Sequence, residues 1–343
     1  MATKTLTALK VAQLKHATFL LGLPSAGTKS ELITSLTRHI GLHVGAEPAE
    51  SNRILSVDMG IRNLAYCVVT TTPPSNNENQ HSGTEDQPPT ALHVSTWSKT
   101  DLLQPDPIND TDPETKNKTS SRTALTNDPF TPSHLSRTAY TITRKFLSHS
   151  PSTILIERQR FRSGSGAAIQ EWTVRVNMLE SMLWACLRTL GQQRSTDRDS
   201  SDQPELHEVN PARVANFWVP AKDVPLRRTA ALFQDDAGEK AETLMEVVGK
   251  KTRKIQKKDK INIVRSWLEG SEDVALTFEG EAAITARRFN GEKSTRTTTS
   301  TQDAAGIGKL DDLADCLLQA AAWARWQENR RIFAQLVEER SAG

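Results

Sequence analysis

Asp58 ends one apolar run, Ile54-Leu55-Ser56-Val57, and Glu157 ends another, Ile154-Leu155-Ile156. Asp311, Asp312 and Asp315 stand at the head of a long apolar-striped stretch that opens Lys309-Leu310-Asp311-Asp312-Leu313-Ala314-Asp315-Cys316. Two strands that each deliver a carboxylate to a sheet end, and a helix whose acids share a face at three- and four-residue spacing, can bring these groups together. Carboxylates gathered from distant parts of a chain repel one another unless a cation holds them. Hard oxygen ligands suit Mg²⁺ and also admit Mn²⁺. Phosphodiester hydrolysis needs an activated water on one side and a stabilised leaving oxygen on the other, and two cations about 4 Å apart serve both ends. Asp58 is the candidate bridging ligand and Glu157 the ligand of one ion. Asp315 would hold the other ion, together with Asp312 or Asp311, between which spacing does not choose. Taken singly, an acid at a strand end ordinarily forms a turn, and acids at a helix start favour its dipole; the combination in this order carries the reading.

The elements that must position these acids follow from periodicity. Strands are expected at Ile54–Val57, Asn63–Thr70, Leu92–Trp97, Ile154–Glu157 and Leu206–Val209, the first two joined by the tight turn Met59-Gly60-Ile61-Arg62. Helices are expected at Ser133–His149, Ala167–Leu190, Pro211–Trp218 and Ile255–Leu268, the last with Ile261, Val264, Trp267 and Leu268 inward and its lysines outward. The order implies an α/β fold: one mixed five-stranded sheet flanked by helices, spanning 52–343. Polar tracts near 71–89, 105–129 and 281–302 read as insertions or loops with too little apolar surface to fold alone.

Residues 1–45 form a small helical unit. After the apolar pattern Leu9, Leu14, Leu20, Leu21, the turn Gly22-Leu23-Pro24-Ser25-Ala26-Gly27 leads to Thr28, which can cap a second helix with Glu31 as its capping-box partner. Leu23-Pro24, Gly27, Lys29, Glu31 and Leu32 resemble the SAP motif, a DNA-binding module. Lys10, Lys15 and Lys29 are its candidate DNA contacts.

At 343 residues and 36% hydrophobic content the chain can bury one sizeable core, and a net charge of +2 is too small to argue for nucleic acid alone. The distribution argues more. Lys257, Lys258 and Lys260 belong to a basic stretch from Lys250 to Lys260 in which Asp259 is the only acid. Arg158, Arg160, Phe161 and Arg162 directly follow Glu157 and lead into Ser163-Gly164-Ser165-Gly166, a loop suited to phosphate contact and base stacking. Arg175 on the next helix and Lys309 beside the acids are further candidates for phosphate. Basic clusters flanking a metal-type acidic site point to a nucleic-acid backbone. Three dispersed cysteines without metal-ligand spacing argue against zinc and against a disulfide framework. No apolar run is long enough to span a membrane, and neither a membrane nor a small-molecule cofactor is expected. The Lys- and Thr-rich start, free of acids before Glu31, is compatible with mitochondrial targeting.

Val57-Asp58-Met59-Gly60-Ile61-Arg62-Asn63-Leu64-Ala65, Ile156-Glu157-Arg158-Gln159 and Lys309 through Asp315 resemble the fungal mitochondrial Holliday-junction resolvases, relatives of RuvC in the ribonuclease H-like superfamily. The SAP-like unit resembles that family's N-terminal extension. The resemblance implies a Mg²⁺-dependent endonuclease that cuts four-way DNA junctions as a homodimer and maintains mitochondrial DNA. A two-fold dimer suits a two-fold junction, since paired nicks need two equivalent sites. The surplus of apolar residues at Met178, Leu179, Met182, Leu183 and Trp184 makes the helix after Glu157 a candidate for much of the interface, with ordinary core packing the alternative for each of them. Two other readings remain open: a nuclease of the same fold acting on RNA–DNA hybrid or single-stranded ends, and an inactive DNA-binding scaffold.

Overall fold

The computed structural model describes residues 2–43, 52–71, 90–103, 128–159, 171–197, 203–218, 232, 239, 241–242, 255–271, 273–291 and 310–342. Three helices come first: α1 (Ala2–Ala8), α2 (Val11–Leu20) and α3 (Lys29–His43). Then follow β1 (Asn52–Asp58), β2 (Leu64–Thr71), β3 (Thr90–Thr100), α4 (Pro132–Ser148), β4 (Thr153–Glu157), α5 (Glu171–Asp197), β5 (Glu205–Val209) and α6 (Pro211–Trp218). The chain closes with α7 (Lys257–Leu268), β6 (Val274–Phe278), α8 (Gly280–Phe289) and α9 (Leu310–Ala342).

The strands form one mixed sheet in the order β5-β4-β1-β2-β3-β6. β1, β2 and β3 are an antiparallel meander, whereas β4 runs parallel to β1, β5 parallel to β4 and β6 parallel to β3. Period-two alternation sorts the strand residues onto two faces. Leu55, Val57, Tyr66, Val68, Ile154 and Ile156 pack against α4 and α5. Ile54, Ala65, Cys67, Val69 and Leu155 pack on the other face, against the layer led by α9. With both faces covered, the central strands are nearly continuous apolar runs.

The sheet has six strands rather than the expected five. The extra one, β6, is a five-residue stretch whose alternate residues Val274, Leu276 and Phe278 face the core. By pairing with β3 it covers an edge that would otherwise expose unpaired backbone. The expected loop at 281–302 also begins differently, because residues up to Phe289 are helical in α8. Ala282, Ala286 and Phe289, spaced four and three apart, bury one face of that helix. The Thr-rich half that suggested a loop lies outside the described residues, as do nearly all of the polar tracts at 71–89 and 105–129; Thr71 ends β2, and Asp128-Pro129 lead into α4.

The N-terminal unit is helical as expected, but it shares a core with the sheet domain. Leu6, Leu14, Leu20, Leu32, Leu36 and Ile40 belong to the same apolar cluster as Trp326, Phe333 and Val337 of α9. The last carbonyls of α2 are capped from the main domain: Asn329 Nδ2 donates to Leu20 O (2.9 Å), Arg330 Nε to Leu21 O (3.0 Å) and Arg213 Nη1 to Gly22 O (2.8 Å). These bonds satisfy carbonyls that a helix end leaves open. Gly22 makes the joint possible. Its φ is +68°, and a Cβ there would stand 2.2 Å from the Trp326 ring. Gly22→Ala is therefore expected to lower stability by about 2–3 kcal/mol through backbone strain and overpacking. Urea unfolding checks this, and an unchanged midpoint would mean that α2 does not dock as described.

Candidate active site

In the parallel register of β1 and β4, Val57 lies opposite Ile156. The next residue of each strand is the acid, so Asp58 and Glu157 emerge side by side at the strands' C-terminal ends. Alternation turns Ile54, Ser56 and Asp58 of β1, and Leu155 and Glu157 of β4, toward α9. Asp315, in the second turn of α9, meets them from above. One carboxylate oxygen from each of Asp58, Glu157 and Asp315 lies within 4.8 Å of the others.

Bringing these groups together is electrostatically costly. The Asp58 carboxyl is held well above the usual carboxylate range, first by burial and then by the charges of Glu157, Asp315 and Asp312, with Lys260 opposing. Burial also raises Asp315, against the pull of Lys260. Lys260 Nζ donates to Asp315 at 2.7 Å, and Lys257 Nζ donates to Asp311. The bond to Asp311 is the main cause of an upward shift at Lys257. The donor set, all oxygen, crowded and half-buried, fits a hard divalent cation better than a purely structural ion-pair network.

Lys260 thus faces the acids half-buried, where an outward, solvated position was expected; Lys257 is exposed, as expected, and reaches Asp311 with its ammonium group. Lys258 is exposed on the same helix. Of the other candidate DNA contacts, Arg158 is paired with Glu208 at 3.0 Å. Arg175 is paired with Glu171 and lies 3.9 Å over the Phe130 ring. Lys29 donates to the Thr7 carbonyl at 2.8 Å, which ties α3 to α1. Lys10 is exposed at the start of α2 and Lys15 is half-buried on it. Arg160, Phe161, Arg162 and Lys309 lie outside the described residues. In α5, Leu179 and Leu183 are buried in the chain's own core, while Met182 and Trp184 are half-buried against it.

Sequence reasoning missed the layer beneath the acids. Gln319, one helical turn after Asp315, is 2% exposed, and its Nε2 donates to Ser56 Oγ (3.0 Å), Leu155 O (3.3 Å) and Val57 O (3.4 Å). The signal was available: Gln319 interrupts the apolar run from Cys316 to Ala322, and Ser56 is the lone hydroxyl between Leu55 and Val57.

A family model described as mitochondrial resolvase Ydc2 / RNA splicing MRS1 matches residues 54–333. The chain is 26% identical over 332 residues to the mitochondrial cruciform cutting endonuclease 1 of Schizosaccharomyces pombe, covering 96% of this chain and 97% of that one. It is 22% identical over 206 residues to the Saccharomyces cerevisiae protein of the same name, covering 56% and 52% of the two chains. The crystal structure of the yeast mitochondrial Holliday junction resolvase Ydc2 superposes with a TM-score of 0.55 at 24% identity, over 96% of this chain and 98% of that one. That likeness shows that the two chains share a fold.

The raised carboxyls fix the sign of a pH effect. Their stabilising contribution is complete below the unfolded value of 3.8 and is lost as pH rises through the higher folded values. In metal-free buffer, the thermal midpoint of the native protein is expected to fall as pH rises from 4 toward 7. Asp58→Asn should flatten that fall and be more stable at pH 7 by about 1 kcal/mol. Parallel midpoint–pH curves for the two proteins would show that the acids do not repel as described.

Proposed function

We propose a function from one premise: this chain belongs to the mitochondrial resolvase Ydc2 / RNA splicing MRS1 family, whose model spans most of its length. It is a mitochondrial endonuclease that resolves four-way DNA junctions, in keeping with the names of its relatives. The family description also covers an RNA-splicing protein. The observation that decides for a nuclease is the convergence of Asp58, Glu157 and Asp315 on one cation-sized space. A scaffold that only binds nucleic acid has no use for a crowded, half-buried acid cluster that opposes folding at neutral pH.

Asp58 would be the ligand common to two ions, with Glu157 holding one and Asp315 the other. Asp312 is the better fourth ligand, because its charge bears on Asp58 while Asp311 is engaged by Lys257. A pair of Mg²⁺ or Mn²⁺ ions bound there would supply an activated water and stabilise the leaving oxygen of the phosphodiester. Lys257 and Lys260 offset the acids, and with cations bound the same two ammonium groups would be available to the phosphate backbone. Arg158, Lys258 and the SAP-like unit supply further positive charge for the arms of a junction. Resolution without scrambling needs two coordinated nicks, so a symmetric homodimer with two equivalent sites is the working assembly. The half-buried Met182 and Trp184 of α5 are available for part of that contact.

The test is cleavage of matched-length four-way junction, linear duplex and RNA–DNA hybrid by the purified protein, mapped strand by strand with and without Mg²⁺. Paired symmetric nicks in the junction only with metal are expected. Asp58→Asn should lower cleavage by about a thousandfold or more, since it removes the shared ligand, and leave junction affinity nearly unchanged in a gel-shift titration. Preferred cutting of the hybrid, or full activity in Asp58→Asn, would reject this reading.

A further inference from the structure

Beneath the acids lies a second layer made of residues the proposed chemistry does not use. Ser56, Cys67, Cys316 and Gln319 are each buried, with exposures of 0%, 0%, 0% and 2%. Ser56 is opposite Cys67 in the β1–β2 register, and the Cys67 thiol donates to the Cys316 carbonyl at 3.4 Å. Gln319 lies one helical turn after Asp315 on α9, and Ser56 lies two residues before Asp58 on the same face of β1, so the bond between them ties the two elements together next to their acids.

Trp97 of β3 and Cys67 of β2 donate to the Leu313 and Cys316 carbonyls of α9, but neither is on the two strands that carry Asp58 and Glu157. α9 meets the sheet through Leu313, Ala314, Leu317, Ala320 and Ala321, all buried and apolar. Apolar contact is non-directional and holds the helix against the sheet without fixing its position along its own axis. Repulsion among Asp58, Glu157 and Asp315 pushes the helix away from the strand ends. A carboxamide hydrogen-bonded to both β1 and β4 resists that push, and its buried bonds cannot be exchanged for water without cost. Mg²⁺ demands near-ideal geometry, so small displacements of a ligand matter.

We propose that Gln319 is a positioning residue for the metal-binding carboxylates: its bonds to Ser56 Oγ and to the Val57 and Leu155 carbonyls lock α9 in the register that presents Asp315 to Asp58 and Glu157. The proposal rests on the metal-site reading above and adds a group that touches neither metal nor DNA. Deleting the carboxamide alone would orphan the Ser56 hydroxyl, so the variant to make is Ser56→Ala/Gln319→Leu, which removes donor and acceptor together and keeps the space filled.

Mn²⁺ binding to the full-length protein without DNA, followed by electron paramagnetic resonance of the free ion, gives a readout separate from cleavage. The wild type is measured first; failure of it to bind Mn²⁺ overturns the metal-site reading and this proposal with it. Given wild-type binding, the double variant is expected to lose about tenfold or more in Mn²⁺ affinity and to keep wild-type affinity for a junction in metal-free buffer. Ser56→Ala alone, the gentler change, should weaken Mn²⁺ in the same direction. Phe146→Leu, in the core on the opposite sheet face, should lower the thermal midpoint and leave Mn²⁺ affinity unchanged. Wild-type Mn²⁺ affinity in both Ser56 variants, or an equal loss in Phe146→Leu, would overturn the assignment.

Discussion

Like charges forced together at one end of a sheet are the constraint around which this molecule is built. Asp58, Glu157 and Asp315 come from two strands and a helix that begins more than 150 residues after Glu157, and they meet within 4.8 Å. Nothing in their mutual interaction favours that meeting. The apolar framework imposes it: the parallel pairing of β1 with β4 aligns two of the acids, and the burial of α9 brings the third. The raised carboxyl of Asp58 records the cost, paid in folding stability, which a bound cation would offset.

The long helix α9 does several tasks with one sequence. Its first turns carry the acids, its middle forms the floor of the core, and its last half receives the N-terminal unit. Trp97 and Trp218 each donate from the indole nitrogen to one of its carbonyls, at Leu313 and Leu318, both at 3.0 Å. Asn329 and Arg330 reach from it to cap α2. The Arg330 guanidinium is buried enough for its pKa to fall to about 10, first through lost solvation and then through the neighbouring charge of Arg213. The N-terminal helices, expected as a separate DNA-binding module, thus share a core with the helix that carries Asp315.

Much of the site was legible because acids at the ends of apolar runs break a pattern. Asp58 and Glu157 stand out after four- and three-residue runs, and Asp315 stands out at the head of an apolar helix. Long, strongly periodic elements such as α4 and α9 were equally plain. β6 and α8 were not, since a five-residue edge strand and a ten-residue helix between polar segments carry little periodic signal. Lysines mislead for a different reason. Lys257 and Lys260 belong to a basic run whose composition says "solvated", and only the orientation of α7 turns two of them toward Asp311 and Asp315.

The sequence by itself determined which residues carry charge into the core, on which elements they ride, and hence the kind of chemistry on offer. These are local properties, written in runs, alternation and helical spacing. The tertiary structure alone decided that Asp315 meets the two strand acids, which lysines pair with the acids of α9, and that Gln319 finds Ser56 across 263 positions of chain. Each of those is a pairing between elements far apart in sequence, and its outcome depends on the axial and rotational setting of packed helices, to which no local pattern is sensitive.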